Sequence, residues 1–204
     1  MIAAENLGLR TRRGWVFQQV DLAVDDGGIV AVVGPAGSGR SMLLLSLAGR
    51  ARPSTGTLSV AGETSRAAIR RLVGVARITG AVDLEPDLTV HDIRRETRLL
   101  SRGADLRRAE GDLGLSLDGA SAVGDLAADE RLLLAVATAT AAAPRALVVD
   151  DVDLGTTREQ QERVWAALRD VAAAGTAVMA SALDPVVVDG VAVVELEGDD
   201  RAAR

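Results

Sequence analysis

The 204-residue chain contains no lysine, no cysteine and no tyrosine, and only one histidine. Without cysteine there are no disulfides, no thiolate metal sites and no cysteine nucleophile, a composition that fits a reducing compartment. Without lysine all 23 basic residues are arginine. Lysine chemistry is therefore excluded, including the strand lysine of a protein kinase and the N-K-x-D base-reading motif of a GTPase. The formal charge of -6 argues against general nucleic-acid binding, which needs a basic surface to neutralise phosphates. Long apolar runs are missing too. The run "LLLAVATATAAA" falls short of the roughly 20 residues that cross a bilayer and reads as a buried helix. The opening "MIAAENLGLRTRRGW" has no continuous apolar core of the kind a signal peptide carries. A cytoplasmic location is expected, with any membrane role exercised through a partner.

What the chain does have is a regular exchange of apolar strands and helices, in a length that suits one domain with a sizeable core. "VFQQVDLAV", the turn "DDGG" and "IVAVV" lead into a glycine-rich loop and the leucine-rich "SMLLLSLAGR", which Gly49 should terminate. Strands are expected at "TLSVAG" and "LVGVA". The character then changes. Thr89 followed three residues later by Asp92 is a capping pattern that predicts a charged helix from about Val90, and the segment from Asp83 to about residues 125–128 reads as a helical insertion. A helix from Asp129 to about Ala143, the strand "ALVVDD", the helix "REQQERVWAALRDVAAAG" and the strands "TAVMAS" and "VAVVELEG" complete the chain. Helices alternating with buried strands predict an α/β fold with a largely parallel sheet.

The chemistry concentrates in two places. "GPAGSGRS", Gly34 to Ser41, has the spacing G-x-x-x-x-G-x-[ST] between a strand and a helix. Such a loop turns backbone N–H groups onto anionic oxygens at the positive end of the helix. Gly34, Gly37 and Gly39 supply the permissive backbone, Ser41 the hydroxyl that ligates magnesium, and Arg40 stands where that loop has lysine. Arginine keeps the charge, but its planar fork is bulkier than an ammonium. The alternative is a glycine-rich turn that holds nothing. The second place is Asp150 and Asp151 at the carboxyl end of "ALVVDD", the edge where open α/β sheets bind ligands. Asp150 is a candidate to hold magnesium through water and Asp151 to act on an attacking water. Paired carboxylates also occur in ordinary strand-ending turns.

Taken in this order, the two motifs resemble the ATP-binding cassette (ABC) family of transporter ATPases over nearly the whole chain. "FQQVDLAVDDGGIVAVVGPAGSGRSMLLLSLAG" looks like that family's opening through its phosphate loop, and "LTVHDI" like the start of its helical subdomain. "LAADERLLLAVATATAAAPRALVVDD" lies without a gap on the segment from the signature to the acidic strand. The resemblance implies a P-loop NTPase fold: a largely parallel core sheet, an amino-terminal antiparallel β part and a small helical subdomain at about residues 83–128 of a single domain. It implies ATP and Mg2+ as ligands. Gly34, Pro35, Ala36, Gly37, Ser38, Gly39, Arg40, Ser41 and Met42 would cradle the phosphates, with Trp15 as a candidate to stack on adenine, although Thr11 is the better-aligned position and Trp15 could equally pack in the core. Partners would be a second nucleotide-binding subunit and a membrane permease as a separate chain, with no nucleic acid.

The departures from the family are informative. "LAADE", Leu126 to Glu130, replaces LSGGQ, which brings Asp129 and Glu130 toward phosphate oxygens unless these acids simply favour the first turn of a helix. Asp151 replaces the catalytic glutamate, one methylene shorter. The switch histidine falls at Leu183, the Q-loop glutamine near Ile78, and "VDLGTT" does not keep the usual D-loop. The single histidine, His91, lies in the helical insertion and is expected at the surface. Arg94, Arg95 and Arg98 either form a solvated helix face or meet an acidic loop of a membrane partner. Slow hydrolysis is one expectation; a non-hydrolysing regulatory or structural cassette is the other.

Overall fold

The computed structural model describes residues 1–101, 103–183 and 191–197. Two sheets carry the fold. β1 (Ile2–Thr11), β2 (Gly14–Val24) and β4 (Thr55–Val60) form an antiparallel sheet in the order β2-β1-β4. β3 (Ile29–Val33), β5 (Val73–Arg77), β6 (Ala146–Val149), β7 (Ala177–Ala182) and β8 (Ala192–Glu195) form a second sheet, whose described pairings are all parallel, in the order β5-β6-β7-β3-β8. The helices are α1 (Arg40–Leu47), α2 (Arg66–Leu72), α3 (Val90–Leu100), α4 (Leu106–Asp112), α5 (Ala128–Thr140) and α6 (Arg158–Ala173). This is the α/β arrangement of a parallel core sheet with an antiparallel part. The sequence reading did not single out β1 or α2. Ser65, whose hydroxyl accepts from the amide of Ala68, caps α2.

The parallel strands are apolar without a break because both their faces are covered. Val30, Val32, Ala146, Val148, Ala177 and Met179 pack with Leu43, Leu44 and Leu47 of α1 and with the antiparallel sheet. Alternate residues Ala31, Val33, Leu147, Val149, Val178 and Ala180 pack with Leu132, Leu133 and Val136 of α5 and Trp165 and Leu168 of α6. The period of two therefore distributes each strand between two cores. β2 faces protein on one side only and buries Phe17, Val20, Leu22 and Val24.

The predicted helical insertion contains α3, α4 and a 3-10 turn at Val123–Asp125. α3 begins at Val90 with the expected capping box, the Thr89 hydroxyl accepting from the amide of Asp92 while the Asp92 carboxylate accepts from the amide of Thr89. His91 is exposed. The strand expected over "VAVVELEG" runs Ala192–Glu195, and its Gly198, like Asp184 and Pro185 of "SALDP", lies outside the described residues.

Candidate functional site

Parallel pairing ends β3, β6 and β7 at one edge of the sheet, and the chain leaves that edge through Gly34, Asp150 and Leu183 respectively. This order brings the two sequence motifs together, since β3 and β6 are separated only by β7. Between Val33 and Arg40 the loop turns through Gly37 (φ +83) and Gly39 (φ +93), left-handed positions that only glycine adopts without strain. Gly39 also passes so close to β2 that a Cβ would lie 2.4 Å from the carbonyl oxygen of Val16. Among the described residues no side chain caps α1. Among the described residues the amides of Gly37, Gly39, Arg40, Ser41 and Met42 have no protein acceptor. The Ser38 hydroxyl is buried and equally without a partner. Buried polar groups are ordinarily satisfied. A cluster of unmet donors at a helix N-terminus has the chemistry of an anion cradle, so a phosphate group fits the residues present.

Arg40 does not project from this cradle. It is buried, and its Nη1 donates to the carbonyl of Gly34 and to that of Ala182 at 2.9 Å, while Nη2 donates to Asp151 Oδ1 at 2.8 Å. The two sequence candidates for phosphate binding and for water activation are thus each other's partners.

Asp151 is the residue that turns the chain after β6. Its φ of +47 lies in the left-handed region that aspartate tolerates. The Ser181 hydroxyl accepts from its amide at 2.8 Å, the Arg77 guanidinium donates to its carbonyl, and the Thr79 hydroxyl donates to Oδ2 at 2.7 Å. Asp150 is wholly buried. Ser181 donates to its Oδ1 and the amide of Thr79 to its Oδ2 at 3.1 Å, while Arg77 donates to its carbonyl at 3.0 and 3.2 Å. With one acceptor position on each oxygen already used, Asp150 fits a metal held through water, the manner in which magnesium usually keeps its hydration. Burial pushes the Arg77 guanidinium below the usual arginine range, and Asp83, Asp151 and Asp150 pull it back.

Arg77, Thr79 and Ser181 were not among the residues singled out from sequence. Arg77 had a signal, an arginine closing an apolar strand. Ile78, at the Q-loop glutamine position, is in the core, and Thr79 beside it is the residue that reaches the acidic pair. Leu183, at the switch position, is half exposed and donates its amide to Asp153 Oδ2 at 2.8 Å.

Of the two readings of "LAADE", the helix-start one holds, and the expectation for Arg94 needs correction. Asp129 does not face phosphate. It is buried and accepts from Gln160 Nε2 and Arg163 Nη1, both at 2.8 Å, because α6 presents these donors along the start of α5. Glu130 accepts from the amide of Ala127, closing the helix start as first-turn acids do. Arg94 is neither solvated nor available to a partner. It is buried and forks onto Glu110 of α4 at 2.8 to 3.1 Å, leaving only Arg95 and Arg98 of that trio exposed.

Trp15 opens β2 and lines a cleft of about 670 Å³ with Val16, Gln18, Ser38 and Leu196, and the Arg10 guanidinium lies 5.6 Å from its ring centroid. Its ring also rests against Gly8, where a Cβ would approach to 3.0 Å. Trp15 is thus partly packed and partly open beside the loop. Thr11 sits at the exposed hairpin end, its hydroxyl turned to Gly14 and Arg13.

A glycine loop between a central parallel strand and a helix, facing an acidic strand end, defines a P-loop NTPase fold. The ABC transporter family model matches residues 17–153. The chain belongs to that family. The ribose import ATP-binding protein RbsA 2 of Rubrobacter xylanophilus is 30% identical over 188 residues, covering 84% of this chain and 36% of that protein. RbsA 1 of Rhizobium etli is 28% identical over 192 residues, covering 86% and 37%. The chain spans little more than a third of the length of these relatives. Among solved structures, the ATP-binding cassette MJ1267 in its ADP conformation superposes with a TM-score of 0.81 at 14% identity, over 96% of this chain and 87% of that one. The dimeric cassette MJ0796 bound to ADP and Pi superposes at 0.79 and 18% identity, over 98% and 97%. These likenesses establish the fold.

Proposed function

We propose that the chain is the nucleotide-binding part of an ABC transporter that takes an adenine nucleotide at Gly34–Met42 and couples binding, with little or no hydrolysis, to a membrane permease or partner cassette. The observation that carries this is the set of unmet donors around the loop, the free amides together with the buried Ser38 hydroxyl. Gly34, Pro35, Ala36, Gly37, Ser38 and Gly39 shape the cradle, and the amides of Arg40, Ser41 and Met42 close it. Trp15 borders the cleft where the base would lie. Ser41 and, through water, Asp150 would hold magnesium, which when bound neutralises phosphate charge. Weak turnover follows from Asp151, whose carboxylate is held by Arg40 and Thr79 rather than left for a water.

The family resemblance supports a cytoplasmic location at the inner face of the membrane, reached through a permease. No described helix is long and apolar enough to cross a membrane. The end of α3, where Arg95, Arg98, Leu99 and Leu100 are exposed, is the surface this reading offers to that partner.

The test is a titration with a fluorescent adenine nucleotide and magnesium, competed by unlabelled adenine and guanine nucleotides, alongside a phosphate-release assay. Saturable binding competed by adenine nucleotides, with phosphate release at background, is expected. Gly37→Ala should abolish it at a stability loss of only about 1–2 kcal/mol, the cost of a side chain in left-handed backbone, because open space surrounds that position. Absence of binding by the wild type, or binding unchanged in Gly37→Ala, would remove the reading.

A further inference from the structure

In a lysine-bearing loop of this spacing, the lysine reaches the β- and γ-phosphates while the backbone amides cradle the phosphates nearer the nucleoside. Here the amides are free and the cation is not. We propose that the Arg40–Asp151 ion pair sets the site to hold a nucleoside diphosphate in preference to a triphosphate. This rests on the nucleotide binding proposed above and deepens it.

The Arg40 guanidinium is committed on both its terminal nitrogens. Nη1 serves two main-chain carbonyls, Gly34 and Ala182, and Nη2 the carboxylate of Asp151, with the two charged side chains only 8% and 15% exposed. Asp151 cannot easily turn away, since Ser181 and Arg77 hold its backbone and Thr79 its second oxygen. A diphosphate needs only what the loop leaves unmet, the amides at the start of α1 and the Ser38 hydroxyl. A third phosphate adds negative charge on the side of the loop that faces Asp150 and Asp151, and like charges repel strongly where water is scarce. Recruiting Arg40 to that phosphate would strip Asp151 of its counter-charge and leave the Gly34 and Ala182 carbonyls without their donor, the costly way to break a buried pair. The pair therefore stands in for the outermost phosphate.

The measurement is isothermal titration of the full chain with ADP and with ATP, each with magnesium, on wild type, Asp151→Asn and Arg40→Gln. Asparagine suits left-handed backbone as well as aspartate does, so Asp151→Asn should fold. The wild type is expected to bind ADP about tenfold more tightly than ATP, the ratio one modest charge interaction produces. Asp151→Asn should bring the two affinities within about twofold, because the repelling charge is gone. Arg40→Gln should widen the gap, because Asp151 is then uncompensated. Equal or tighter ATP binding by the wild type overturns the preference while leaving nucleotide binding intact, and so does an unchanged ratio in both variants. Failure of the wild type to bind either nucleotide overturns the preference together with the reading beneath it.

Discussion

Arg77 shows how much of the site is held by a single side chain. Its guanidinium closes β5 and spends its donors on the carbonyls of Asp150 and Asp151, so the turn that carries both acids hangs from a residue on the neighbouring strand. Replacing it by methionine keeps most of the apolar stem but leaves the Asp150 carbonyl unmet, while that of Asp151 keeps the amide of Leu154; one unmet buried acceptor costs roughly 1–3 kcal/mol. Arg77→Met is therefore expected to lower the unfolding free energy by about 2 kcal/mol in a urea titration. A loss under about 1 kcal/mol would mean that water replaces the guanidinium. At this same scale the sequence was only half legible. The glycines of the loop announce their role because each backbone angle is a local requirement. The direction of Arg40 is not announced, because its acceptors at Ala182 and Asp151 lie 142 and 111 residues away.

Among the elements, α3 is the most self-explanatory in its start and the least in its packing. Its capping box is written in Thr89 and Asp92. The hydroxyl and amide of Thr89 hold the Asp92 carboxyl below the ordinary carboxylate value. A depressed carboxylate contributes stability above its unfolded value of about 4, and that contribution is lost as the pH falls through the lower folded value. Hydrogen exchange at the first turn of α3 should accordingly speed up only in strong acid, and should show no step between neutral pH and about pH 5. The packing of α3 depends instead on Arg94 and Glu110, a buried pair that ties α3 to α4. Glu110→Gln leaves the guanidinium without its counter-charge, and loss of one partner of such a pair costs about 3–5 kcal/mol. Exchange protection should fall across α3 and α4 and remain in β3, β6 and β7. Equal loss throughout would show that the helical segment and the sheet unfold as one unit.

For the whole molecule, the decisive feature is what the start of α5 offers to another subunit. The family segment closes on the γ-phosphate of an opposing site with a serine and glycine backbone. Here Ala127 is exposed, Asp129 is turned inward onto Gln160 and Arg163, and Glu130 caps its own helix. No side chain in that stretch can donate to the phosphate of a second identical chain, and the two acids bring negative charge to the helix start. Sedimentation of the purified protein is thus expected to give a monomer with or without ATP and magnesium, so that any closed pair requires a different cassette carrying the missing groups. A dimer that appears only on adding nucleotide would contradict this.

The sequence by itself determined the order of elements, the phosphate loop and the acidic strand end, since these rest on periodicity and on local backbone demands that neighbouring residues specify. Strand pairing, which brings β6, β7 and β3 side by side, decided the rest. Only that juxtaposition lets Arg40 reach across β7 to Asp151, sets Arg77 beneath both acids, and gives Asp129 partners on α6. A charged side chain goes to whichever opposite charge or unmet carbonyl the fold brings within about 3 Å, and sequence spacing does not encode that distance.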